Sequence, residues 1–412
     1  MRIITMKFLT IIFTLITLSV FAADDGEPGT EQRDIEALRD WVNTKRQVTV
    51  KERGGNLSLS GEVRVELQST NEKKNGIKQR GVGGQVIGTG MRAWDVEVNL
   101  MLDYRADRTW ATIKIEFDND AGTEGGTFNR LSVERAFLGG RIVNADTYTM
   151  DLEIGRRFFS YTFDSKIEFG SFMDGILYKY DQAFDIAGDF YFHGGPFLIN
   201  ESLDQYGYVG EVGLLNVGRT GLYSKISAIC WDTKHTSKKE RNNAFRFIPI
   251  QWIWGYKFIL KPINKITTVY AAALYNPRAH GTVVSNGERK AWAWYAGFSM
   301  GELRKKWDWS LDVNYQWVQL QAIPDFDGNG IKRGNTAKRG LYTRLNKGIG
   351  DANKAGEGVG SGNYKGISVE FLYLLTSNIT IYQAWRQSVN EDSSIKPTFS
   401  YKQYEIEFIY GF

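Results

Sequence analysis

Several stretches of this chain carry residue types that do chemistry elsewhere. Gly297-Phe298-Ser299-Met300-Gly301 has the spacing of a nucleophile elbow, and His193-Gly194-Gly195 has the form of an oxyanion-hole segment. An elbow sets its serine on a sharp turn from strand to helix, with the activating histidine later in the chain. Here no histidine follows Ser299, the last being His280, and from Trp307 onward apolar residues recur every second position, not every 3.6. Serine hydrolysis is excluded on both counts, and no enzymatic activity is expected. Asp325-Phe326-Asp327-Gly328-Asn329-Gly330 matches the first half of a calcium loop, which makes Asp325, Asp327 and Asn329 weak candidate ligands. The bidentate Glu that closes such a loop is missing, since Thr336 stands at the twelfth position. Asp, Asn and Gly are also the ordinary residues of exposed turns. Gly356, Gly358, Gly360 and Gly362 lack the spacing of a phosphate cradle and read as a flexible loop. With three His and one Cys, Cys230, a zinc site on those ligands and an internal disulfide both drop out. No metal or other cofactor is expected.

The remaining chemistry-bearing stretch is 155–179, GRRFFSYTFDSKIEFGSFMDGILYK. Arg156 and Arg157 end one apolar-alternating segment, and Asp164, Lys166, Glu168 and Asp174 follow in a longer connector. Fixed charges of both signs do nothing catalytic at this spacing. Folded into a water-filled lumen, they would act as a transverse field and a charge filter. The alternative placement is a solvated outer loop. Arg156 and Arg157 favour anions and the acidic neighbours favour cations, so the ion preference stays open at this stage.

A filter needs a wall, and the rest of the chain supplies one. From Asn56 the hydrophobic period is 2. Leu57, Leu59, Gly61, Val63, Val65 and Leu67 alternate with Ser58, Ser60, Glu62, Arg64, Glu66 and Gln68. The same pattern recurs over 94–105, 111–118 and 307–318. These runs of about 10 to 14 residues exceed the usual strand of a soluble sheet, and match the 9 to 11 residues that cross a bilayer at a tilt. Trp and Tyr gather at their ends, as at Trp94, Tyr104, Trp307 and Trp317. The polar faces carry charge throughout and should meet water. Short turns alternate with long polar connectors such as 69–91, 234–243, 276–290 and 324–363, the pattern of an outer-membrane barrel. About 15 or 16 strand segments are present, and the even-number rule selects 16. With 44 Gly against 7 Pro, the composition suits many strands joined by turns. A mean hydropathy of −0.34 argues against a helical membrane protein. The balance of 51 Lys and Arg against 47 Asp and Glu, with no basic stripe, excludes a nucleic-acid partner.

The two ends address the barrel. Arg2 and Lys7, the apolar run Phe8–Phe21 and the small residues Ala22 and Ala23 form a secretory signal peptide over 1–22. A spacer and an amphipathic helix over 31–47, with Ile35, Leu38, Trp41 and Val42 on one face, are expected within 23–55, ahead of a barrel over 56–412. At the other end Tyr404, Ile406, Phe408, Tyr410 and Phe412 alternate with Gln403, Glu405, Glu407, Ile409 and Gly411. This resembles the C-terminal strand of bacterial outer-membrane proteins, whose terminal aromatic is read by the barrel-assembly machinery.

The segments GRRFFSYTFDSK…FMDG, FYFHGGPFLIN and IPDFDGNGIKRGN resemble bacterial outer-membrane porins. The helix running into GGNLSLSGEVRVELQ is most similar to a group found in chlamydia-like bacteria. The resemblance covers nearly the whole chain after the leader and rests on layout and short segments. It implies a single-chain, all-β transmembrane antiparallel barrel in the outer-membrane lipid, with a homotrimer as one arrangement. Its function would be passive diffusion of ions and small hydrophilic solutes. The competing expectation is a structural or adhesive surface protein with a plugged lumen.

Overall fold

The structure is a computed structural model that describes residues 48–52, 55–79, 92–123, 126–184, 186–201, 204–233, 246–282, 284–337, 341 and 359–412. The leader over 1–22 and the helix over 31–47 lie outside these residues.

Alternating apolar and polar residues with few prolines give long strands. The main sheet has 18 of them, two being the short segments Val48–Glu52 and Ile77–Lys78. The other sixteen form the wall. They are β1 (Gly55–Lys74), β2 (Arg92–Ala106), β3 (Thr109–Thr123), β4 (Gly126–Asn144), β5 (Tyr148–Phe158), β6 (Phe172–Phe184), β7 (Gly188–Asn200) and β8 (Gln205–Val217). The second half comprises β9 (Leu222–Cys230), β10 (Ile250–Leu260), β11 (Lys265–Tyr275), β12 (Trp292–Met300), β13 (Trp309–Val318), β14 (Tyr364–Leu374), β15 (Ile379–Asn390) and β16 (Phe399–Gly411). Each strand pairs antiparallel with the next, and β1 also pairs with β16, so the sheet closes into a barrel. The closing rung is Gly61 with Phe412, each N–H donating to the other carbonyl at 3.0 and 2.9 Å. Among the described residues, helical geometry is confined to short 3-10 turns such as Phe159–Tyr161.

Parity assigns the two faces. In β16, Tyr401, Gln403, Glu405, Glu407 and Ile409 are buried, whereas Tyr404, Phe408 and Tyr410 are exposed. In β10 and β12, Trp252, Trp292 and Trp294 stand outward, and outward aromatics pair across strands, Tyr275 with Trp292 at 4.5 Å and Trp294 with Tyr315 at 5.5 Å. A surface of this kind, apolar outside with aromatic girdles, is stable only in a bilayer. Replacing outward Val269, midway along β11, with Arg should therefore cost ~2–4 kcal/mol of barrel stability in lipid, read by urea unfolding from vesicles. A cost near zero would place this face in water or against protein.

Tight connectors such as 107–108, 145–147, 218–221 and 375–378 lie at one end of the barrel, and the described parts of the longer ones, 75–79, 159–171, 231–233, 246–249, 276–282, 284–291, 319–337 and 359–363, at the other. Two details differ from the sequence reading. β1 runs on to Lys74, so part of the polar segment at 69–91 is strand, and Trp307 sits in a turn with φ 75° instead of in β13.

Candidate functional site

The connector 159–171, between β5 and β6, turns into the barrel. Its apolar residues explain why. Phe159, Phe163, Ile167 and Phe169 are fully or almost fully buried. Phe159 meets Phe197 of β7 edge-on at 5.0 Å and lies 6.2 Å from Trp231, while Met173 and Leu177 of β6 complete an apolar lining inside the wall. The turn starts with the Thr162 and Phe163 N–H groups donating to the Phe159 carbonyl at 2.9 Å.

Beyond this wedge the loop becomes polar and crosses to the far wall. The Asp164 N–H donates to Glu211 of β8 at 3.2 Å, and its carboxylate pairs with Lys225 of β9 at 3.2 Å. Ser165 donates to Gln251 of β10 at 2.8 Å, and the Gln251 amide donates back to the Asp164 carbonyl at 2.8 Å. Lys166 pairs with Asp312 of β13 at 3.4 Å, and Gln316 donates to the Lys166 carbonyl at 3.2 Å. The loop is thereby seated on β8 to β13.

Of the residues singled out in the sequence, Arg157, Asp164, Lys166 and Glu168 lie inside the barrel. Arg157 is buried between Glu153, 2.6 Å away, and the ring of Phe137, 4.1 Å below its guanidinium. Arg156 and Asp174 do not join them. They face each other on the outer surface, with Arg156 donating twice to Asp174 at 2.6 and 2.8 Å. Two successive strand residues cannot both face the lumen, and outward Ile154 sets the parity that puts Arg156 outside.

The segment 319–337 also enters the barrel and holds the first loop. The Gly170 N–H donates to the Asp327 carbonyl at 2.8 Å, and the Asn329 N–H to the Ile167 carbonyl at 2.9 Å. A side chain at Gly170 would place its Cβ 2.3 Å from the Gly328 carbonyl oxygen, so this approach needs glycine. Glu168 and Asp327, both buried, sit beside each other in this seam. Burial, reinforced by Asp327, pushes the Glu168 carboxyl well above its ordinary range. Burial pushes Asp327 up to about 7, against the opposing pull of hydrogen bonds from Ser171 and Phe169 and of Lys332. The calcium candidates are occupied in this seam. Asp325 accepts from the Ser361 N–H at 2.6 Å, Asp327 accepts from the Ser171 hydroxyl at 2.5 Å, and Asn329 contributes its backbone. Ser299, of the elbow-like motif, lies within β12 with no strand-to-helix turn.

Away from the seat of the loop 159–171 the inward wall is charged, with Glu66, Glu97 and Glu370 partly exposed and Glu62, Glu405 and Glu407 buried. Along β1, β2 and β14–β16 the inward carboxylates Glu62, Glu66, Glu97, Glu370, Glu405 and Glu407 outnumber Arg64 and Arg386. Arg386 bridges Glu370 at 3.2 Å and Glu405 at 2.8 Å, and Arg64 contacts Glu62 and, at 3.4 Å, Glu97. Glu66, Glu405 and Glu407 form the one group of three metal-capable side chains that converge among the described residues, with ligand atoms within 4.8 Å of one another. Sequence reasoning missed this wall as a site, although the parity of Glu62, Arg64 and Glu66 was legible.

No protein-family model matches the chain, and no curated protein matches it in sequence. Solved structures do. Salmonella typhi OmpF, in a complex with daunomycin, superposes with a TM-score of 0.50 at 14% identity, covering 89% of this chain and 100% of that one. Pseudomonas putida OprB, at high pH, superposes with a TM-score of 0.50 at 8% identity, covering 86% of this chain and 94% of that one. The fold is that of the bacterial outer-membrane porins.

Proposed function

We propose that this chain is an outer-membrane channel for passive diffusion of ions and small hydrophilic solutes, with a preference for cations. The observation that carries the reading is the loop 159–171, seated by side-chain bonds on β8–β13 and leaving the charged wall of β1, β2 and β14–β16 opposite it. A closed barrel of this strand number leaves an aqueous lumen that inward loops narrow. The acidic surplus on the facing wall supports cation preference, since fixed charge near a low-dielectric surface concentrates counter-ions. The inward loop also suits a diffusion channel better than a purely adhesive barrel, which has no use for a shaped lumen.

Finer features belong to the same proposal. The leader at 1–22 would direct export, and the alternation Tyr404 to Phe412 would be read by the barrel-assembly machinery. The outward face of β1–β5 is largely aliphatic, with Leu59, Leu67, Leu100, Ile113, Leu138 and Ile154 exposed, whereas aromatics crowd β10–β16. That asymmetry suits β1–β5 for packing against other copies in a homotrimer. The segments quoted above favour the group found in chlamydia-like bacteria.

The test is single-channel recording of the refolded protein in a planar bilayer, with a salt gradient. Stable steps and a reversal potential of cation-selective sign are expected. A folded barrel that never conducts would overturn the channel, and an anion-selective sign would overturn the preference.

A further inference from the structure

The segment 319–337 does more than hold the first loop. Lys332 and Arg333 are consecutive non-glycine residues in the left-handed region, with φ of 60° and 64°. Each such residue is strained, and two in a row persist only where their surroundings over-determine them. The surroundings here are specific. Before the turn the Ile331 N–H donates to the Gln316 side chain at 2.9 Å, and at the turn the Ser388 hydroxyl donates to the Lys332 carbonyl at 3.2 Å. After it, Gly334 and Asn335 pair with Gly360 and Val359, and the Asn335 amide donates to the Pro397 carbonyl at 3.0 Å. Bonds from β13, β15 and the β15–β16 connector thus clamp a backbone shape that the sequence disfavours.

The shape carries Arg333 to the wall of β1 and β16. Its guanidinium lies 5.1 Å over the ring of Tyr401, and Nη1 is 3.9 Å from Glu72. Glu72 is buried and neither of its oxygens has a hydrogen-bond partner among the described residues, and Arg333 supplies a countercharge beside it. The inward cations Arg386, Arg64 and Arg157 are more enclosed, Arg386 at 24% exposed. The Arg333 side chain is 29% exposed, against 14% for Arg64 and 6% for Arg157. A cation in contact with lumen water acts on passing ions far more than one neutralised within the wall.

We propose that the Lys332–Arg333 turn is a second constriction element and that Arg333 is a specificity-determining residue, tempering the pull of the acidic wall on cations. The inference rests on the channel reading. Its test is the reversal potential of the full refolded protein under a potassium chloride gradient, for the parent and for Arg333→Lys, Arg333→Gln and Arg333→Glu, with folding checked by circular dichroism. The expected result is a cation-to-anion permeability ratio that rises several-fold in Arg333→Glu, rises less in Arg333→Gln and stays at the parental value in Arg333→Lys. Should Arg333→Glu not fold, Arg333→Gln carries the same comparison. A conducting parent whose reversal potential is unmoved by loss of the charge would overturn this inference alone, leaving Arg333 as an anchor for its loop. A parent that never conducts would overturn the channel reading and this inference with it.

Discussion

Phe159→Ala should release the loop 159–171 from the wall and give larger, noisier channel openings in a barrel that still folds. Phe159 has no exposed surface and stands at the centre of an aromatic group. Phe163, Phe169, Phe197 and Trp231 surround it at 5.9, 6.3, 5.0 and 6.2 Å between ring centroids. Truncating a buried Phe costs ~3–5 kcal/mol, a lost-contact term plus a cavity term. That cost falls on the docked loop, because the strand ladders of β5, β6 and β7 make their hydrogen bonds without it. The polar tip would keep its bonds to Lys225, Gln251 and Asp312, but net contributions of about 1 kcal/mol per hydrogen bond cannot replace the aromatic wedge. Single-channel traces at fixed voltage read the result. Conductance and noise identical to the parent would mean that the loop is held mainly by its tip.

This dependence on Phe159 also marks where the sequence stops being informative. The barrel was legible because a period of 2 persists through β1, β2 and β16, and because outward Tyr404, Phe408 and Tyr410 keep strict parity with inward Glu405 and Glu407. The facing of Arg156 was legible too. In β5 the apolar Met150, Leu152 and Ile154 alternate with Asp151 and Glu153, so parity sends Arg156 outward and Arg157 inward, even though both look equally suited to a filter. The apolar patch inside the barrel was harder to see. Phe197, Val209, Ile229 and Trp231 face inward in segments that are apolar on both faces, and alternation says nothing about a strand that does not alternate. The weak trace it leaves is that break in pattern, in FYFHGGPFLIN and KISAICW, placed next to an aromatic-rich connector. The entry of 319–337 into the lumen leaves no trace of this kind. Its contacts pair Ile331 with Gln316, Asn335 with Pro397 and Asp327 with Gly170, and polar residues at such separations look the same in sequence whether they meet protein or water.

The seam between the two loops should also make the channel sensitive to pH, in a direction that follows from its two carboxyls. Asp327, with no exposed surface, is pushed up to about 7 by burial, and Glu168 moves in the same direction through burial and the nearness of Asp327. Undocked into water, both would titrate near about 4. Between roughly pH 4 and 7 the docked seam therefore binds more protons than the undocked one. Docking is strongest in acid, weakens as pH rises through that window, and levels off above it, once both states are ionised. The loss attributable to Asp327 is on the order of 4 kcal/mol, comparable with removing Phe159. Lys332, the Ser171 hydroxyl and the N–H groups of Phe169 and Ser171 favour the ionised form and keep the shift from being larger. Recorded at constant salt, the parent should give steady openings at pH 5 and larger, noisier ones at pH 8. Asp327→Asn and Glu168→Gln should each flatten that dependence and hold the channel in its steady state at both values. Steadier openings at pH 8 than at pH 5 would reverse the sign and count against the seam as the site of titration. A parent indifferent to pH would mean that the two carboxyls keep the same protonation whether the loop is docked or not.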